Sequence, residues 1–112
     1  MGNERPGEAK IVACILAEVT FKPRSVGGRA MMPVGSGYPP YLRSGLTHED
    51  LAVRVNDVPS DAQLGQAINV TIELSYYPTF DYGALVEGMP IQLIEGSKVV
   101  AEGICKSPII TD

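Results

Sequence analysis

The stretch 25–41, S-V-G-G-R-A-M-M-P-V-G-S-G-Y-P-P-Y, constrains the fold more than any other part of the chain. Glycines at 27, 28, 35 and 37 and prolines at 33, 39 and 40 disfavour both a helix and a long strand, because proline blocks the interior of either and glycine weakens both. Punctuation this dense fixes several turns at set places, and runs rich in apolar residues lie on both sides of it. The combination suits a small all-β domain whose strands bend in order to close. Twelve glycines, nine prolines and no tryptophan in 112 residues point the same way, to short strands and turns over long helices.

The flanking runs read as strands. Residues 10–21, K-I-V-A-C-I-L-A-E-V-T-F, are rich in β-branched side chains, and Ala17, Val19 and Phe21 alternate with Glu18 and Thr20. This is a long strand, buried on both faces at first and half exposed later. A short extended piece is expected within 29–34, short strands at 41–46 and 51–55, and a polar connection over 56–66. The cleanest periodicity lies at 67–77, where Ile68, Val70, Ile72 and Leu74 alternate with Asn69, Thr71, Glu73 and Ser75. One face of that strand belongs to a core and the other to water. Pro78 ends it, and 81–88 is a connection. Residues 89–95 form a strand with Ile91, Leu93 and Glu95 on one face and Gln92 and Ile94 on the other. E-G-S-K (95–98) is a hairpin turn, and 99–105 returns as the last strand. Six or seven antiparallel strands at this spacing make a sandwich or a closed barrel. A single domain over 10–107 follows, with a flexible leader at 1–9 and a C-terminal tail at 108–112.

A formal charge of −4 disfavours holding nucleic acid by its phosphates, which calls for the opposite sign. Cys14 and Cys105 are too few for a disulfide framework and sit in apolar, strand-like surroundings; they would be neighbours only if the first and last strands pair. Neither their spacing to His48, the single histidine, nor the scattered acids makes a nucleophilic or metal site, so neither catalytic residues nor cofactors are expected. The longest strictly apolar run is too short to span a bilayer, and a cytoplasmic chain is expected.

Taken in order, G-G-R (27–29), Pro33, G-Y-x-P (Gly37, Tyr38, Pro40), L-G-Q (64–66), I-N-V-T-I-E-L (68–74) and I-E-G-S-K-V-V-A-E-G (94–103) resemble the C-terminal β-barrel domain of bacterial elongation factor Tu. The resemblance covers about residues 10–107 and implies a closed six-stranded antiparallel barrel, with Gly27, Gly28, Pro33, Gly37, Pro40 and Gly96 shaping its turns. In that family the domain follows a GTPase domain, whereas these 112 residues contain no G-x-x-x-x-G-K-[ST] phosphate loop. The resemblance further implies that the G-G-R segment and the last hairpin would approach a tRNA T-stem. Arg29 and Lys98 occupy the matching basic positions, but Ala30 and Ile94 stand where the family carries a histidine and an arginine. G-Y-P-P-Y-L has likewise lost the arginine and glutamine of the family's G-Y-R-P-Q-F.

Arg29, Tyr38, Tyr41, Arg43 and Lys98 are therefore the candidate contacts to a partner. The aromatics Tyr76, Tyr77, Phe80 and Tyr82 would either form an exposed patch or cap the barrel end. The expected function is a non-catalytic, protein-binding barrel without GTPase activity, its partner of a translation-associated kind; the alternative is weak tRNA binding.

Overall fold

The computed structural model describes residues 12–45 and 49–111. Its strands are β1 (Ala13–Phe21), β2 (Tyr41–Ser44), β3 (Leu51–Asn56), β4 (Ala67–Leu74), β5 (Pro90–Glu95), β6 (Lys98–Cys105) and β7 (Ile110–Thr111). The only helical piece among the described residues is one 3-10 turn at Arg24–Val26. Hydrogen bonding runs β4-β3-β2-β5-β6-β1, and β1 pairs again with β4, so six antiparallel strands close into a barrel, with β7 added beside β1. Of the two architectures that strand spacing allows, the chain adopts the barrel.

Alternation accounts for the interior. The odd-numbered residues of β1 are buried and its even-numbered ones are not, while β4 buries Ile68, Val70, Ile72 and Leu74. Each strand turns one side chain in two inward, and closure gives those faces a common dry interior that includes Ile15, Phe21, Leu42, Ile72 and Leu93. Burying one such side chain is worth roughly 1.5–3 kcal/mol relative to leaving it in water. Tyr82 and Leu85, both 1% exposed, extend the core beyond the strands.

The seam is made by β1. It pairs with β4 from Cys14 opposite Glu73 to Thr20 opposite Ala67, and with β6 from Ala17 opposite Cys105 to Phe21 opposite Ala101. Gly103 lies on the second of these ladders. A Cβ there would sit 2.1 Å from the Glu18 carbonyl oxygen and 2.8 Å from Val19 Cγ1, so the strands can approach only because the position has no side chain.

Several local expectations need correction. No strand forms within 29–34; Arg29 bridges Pro23, Gly35 bridges Val58 and Tyr38 bridges Val55, each singly. Pro33 has no amide to offer a ladder, and Gly35 and Gly37 take positive φ, 67° and 100°, which ends any extended run. β4 stops at Leu74 because the chain turns at once, with the Tyr77 amide on the Leu74 carbonyl (3.2 Å) and the Phe80 amide on that of Tyr76 (3.0 Å). In β5 the simple alternation fails. A bulge between Leu93 and Ile94 shifts the register against β6, and Ile94, expected outside, is 2% exposed. Instead of trailing off, the tail pairs Ile110 and Thr111 with Cys14 and Ala13. Strands β1 and β6 do pair, yet Cys105 lies opposite Ala17 and faces inward, while Cys14 is on the outer side of β1. The expected leader at 1–9, residues 10 and 11 of the first strand, residue 46 of the strand expected at 41–46, His48 and Asp112 lie outside the described residues.

Candidate functional site

The punctuated stretch is folded back against one end of the barrel. Its entry is fixed by the Lys22 amide on the Val100 carbonyl (2.8 Å) and the Arg29 amide on the Lys22 carbonyl (3.1 Å). Gly27, at φ 87°, closes the 3-10 turn with its amide on the Arg24 carbonyl. Gly28 is needed for a different reason: a Cβ would fall 1.8 Å from the Lys22 carbonyl oxygen. Pro33 and Pro40 are buried. Further on, the Gly37 amide reaches the Val55 carbonyl (3.1 Å) and Asn56 Oδ1 (2.9 Å), and the Tyr38 carbonyl accepts the Val55 amide (2.7 Å). These bonds deliver Arg29 and Tyr38 to the same place, beside the β5–β6 hairpin.

That hairpin turns at Gly96, φ 62°, which sets Glu95 opposite Lys98. Glu95 is the hub of the site. Its Oε2 accepts from both Arg29 Nη1 and the Tyr38 hydroxyl. The guanidinium carbon lies 4.8 Å from the centre of the Tyr38 ring, a cation–π distance, and Arg29 Nε donates to the Met31 carbonyl (2.9 Å). Tyr38 rests in turn on Phe21, ring centres 5.7 Å apart. Lys98 Nζ donates to the Gly28 carbonyl at 3.3 Å. Burial pushes the Tyr38 phenol well above its ordinary range, and its bond to Glu95 adds to the shift. Burial works against the Arg29 charge, but Tyr38 and Glu95 outweigh it and raise its pKa.

Three of the five candidate contacts, Arg29, Tyr38 and Lys98, are thus brought to one end of the barrel. Tyr41 and Arg43 belong elsewhere, on the outer face of β2. Arg43 forms a forked pair with Asp50, Nε to Oδ1 at 2.8 Å and Nη2 to Oδ2 at 3.2 Å. Tyr41 is half exposed and shares a surface depression with Tyr76. Glu95 was not among the candidates. A carboxylate closing an inward-facing alternation needs a cationic partner, and that was the available signal.

The aromatics of 76–82 divide between both expected roles. Tyr82 points inward; its hydroxyl donates to the Ala52 carbonyl (2.8 Å) and accepts the Tyr76 amide (3.1 Å). Tyr77 packs partly buried against the core. Tyr76 and Phe80 point outward, 54% and 50% exposed, with ring centres 5.2 Å apart.

Among the described residues no helix is long and apolar enough to cross a membrane. No protein-family model matches this sequence, and no curated protein matches it.

Proposed function

We propose that the chain is a non-catalytic interaction barrel of the elongation factor Tu C-terminal-domain type, and that its partner is a protein. One observation carries the preference for protein over RNA. The cations that the RNA reading needs are engaged within the fold: Arg29 on Glu95, Arg43 on Asp50, Lys98 on the Gly28 carbonyl. A guanidinium already paired with a carboxylate gains little by meeting a phosphate, because it must first lose its partner. Exposed aromatics, by contrast, are the side chains that most often anchor protein interfaces, and Tyr41, Tyr76 and Phe80 are each at least half exposed. The net charge of −4 acts in the same direction.

The second reading, weak contact with a tRNA T-stem, draws on the meeting of Arg29 and Lys98 at one barrel end, as the resemblance implies. A translation-associated partner belongs to this proposal as well. The two readings separate in one experiment: capture from lysate by the tagged chain and its Tyr76→Ala and Lys98→Glu variants, at low and moderate salt. The protein reading expects a defined polypeptide that Tyr76→Ala releases, with little effect of salt. Recovery of tRNA that disappears with Lys98→Glu and fades steeply with salt would reverse the order of the two readings.

A further inference from the structure

The outer wall beside the exposed aromatics has a shape and a charge that narrow the partner's chemistry. Two adjoining depressions flank the Tyr76–Phe80 pair. The first, about 330 Å³, has Ala52 in its lining and Pro39, Pro40, Tyr41 and Tyr76 around it. The second, about 500 Å³, is lined by Leu51 and Phe80 and edged by Glu49, Asp50 and Asp81. Tyr76 lines the first and Phe80 the second, and their ring centres lie 5.2 Å apart, so the pair forms the ridge between the depressions.

Charge is distributed unequally across that ridge. In the first depression Arg54 lies opposite Glu73 in the β3–β4 register, and the two offset each other. Among the described residues no basic one lines the second. Arg43 offsets Asp50, which leaves the charges of Glu49 and Asp81 beside the Phe80 ring. The surface thus offers on one side a trough walled by Pro39, Tyr41 and Tyr76, with Arg54, Glu73 and Ser75 giving it polar lining, and on the other an anionic aromatic pocket.

We propose that this double depression binds an extended protein segment in which proline and arginine lie close together. Proline rings fit a tyrosine-walled trough at low entropic cost, because a polyproline segment is already extended and its exposed backbone needs no ladder partner. The guanidinium takes the Phe80 side, stacking on the ring while Glu49 and Asp81 supply the counter-charge. This orientation is forced: the first depression has no net charge for a cation. The same carboxylates repel a phosphate backbone. The inference rests on the protein-module reading above and adds to it the partner's chemistry.

The test is fluorescence anisotropy of a labelled synthetic peptide of repeated Pro-Pro-Arg units with the full chain. Peptides of Pro-Pro-Glu and Gly-Gly-Arg units serve as comparators. The expected result is saturable binding of Pro-Pro-Arg, none of Pro-Pro-Glu, and binding of Gly-Gly-Arg weaker by about tenfold or more. Tyr76→Ala, Phe80→Ala and Asp81→Lys should each weaken Pro-Pro-Arg by about tenfold. Phe80→Leu keeps the bulk and loses the π face, so an intermediate loss separates cation–π contact from packing. These side chains are exposed, and an unchanged melting curve checks that the barrel persists. No binding of Pro-Pro-Arg, equal binding of Gly-Gly-Arg, or indifference to Tyr76→Ala and Phe80→Ala overturns the proposal. If the peptide fails while lysate capture of a Tyr76-dependent protein succeeds, only the partner chemistry falls and the module reading stands.

Discussion

Glu95 holds two groups from a loop far away in sequence, and removing its charge should loosen that loop without unfolding the barrel. Glu95→Gln keeps an acceptor for Tyr38 but loses the ion pair with Arg29. With side chains 26% and 31% exposed, solvent already screens part of the attraction, and a loss of about 1–2 kcal/mol in urea denaturation is expected. A double-mutant cycle with Arg29→Met should return most of that loss as coupling energy. Tyr38 makes a separate prediction about pH. Its phenol ionises above the ordinary value of 10.0, first through burial and then through Glu95. The folded chain therefore holds this proton more tightly than the unfolded chain does. The resulting stability is complete below pH 10 and is lost as pH rises beyond it. In Tyr38→Phe the fall in stability above pH 10 should be shallower, as read from denaturation at neutral and alkaline pH. Tyr82 and Cys105, also raised by burial, contribute to the slope that remains.

Strands and turns use glycine in two physically distinct ways, and substitution should tell them apart. At Gly103 an added Cβ would meet the backbone of β1, which cannot move without opening the barrel. Gly103→Ala should cost roughly 1–3 kcal/mol or prevent folding. At Gly96 nothing lies within 4 Å of such a Cβ, and only the positive φ resists it. Gly96→Ala should cost about 1 kcal/mol. Thermal melts of both variants against the parent decide the matter. The same contrast explains how far the sequence could be read. Period-two runs such as Ile68 to Leu74 show their face directly, because nothing but burial dictates them. The bulge that buries Ile94 leaves no local mark, since it comes from how β5 meets β6. The piece within 29–34 looked extended from its composition, but its backbone bond runs from the Arg29 amide to the Lys22 carbonyl, across a local turn and not along a neighbouring strand. At the site, Arg29, Tyr38 and Lys98 were legible through their order along the chain. Glu95 was marked only by its place at the end of an inward-facing alternation, because its importance lies in the meeting of two segments.

As a whole the barrel is unevenly sewn. β2 and β3 are in register only at Tyr41 opposite Ala52 and Leu42 opposite Leu51, whereas β1 and β4 run together from Cys14 to Thr20. Amide hydrogen exchange should therefore open the β2–β3 seam first and the β1–β4 ladder last, and uniform protection around the barrel would contradict this picture. The partners of β1 are β4, β6 and β7, none of them its neighbour along the chain. A ribosome makes the strands in the opposite spirit, one after another. β1 emerges with an apolar face and two unsatisfied edges, and its first partner arrives only after β2 and β3 have been synthesised. Pairings so distant along the chain form slowly, and open edges invite other chains in the meantime. Until Lys98–Cys105 has been translated, the growing polypeptide carries a seam that nothing of its own can close.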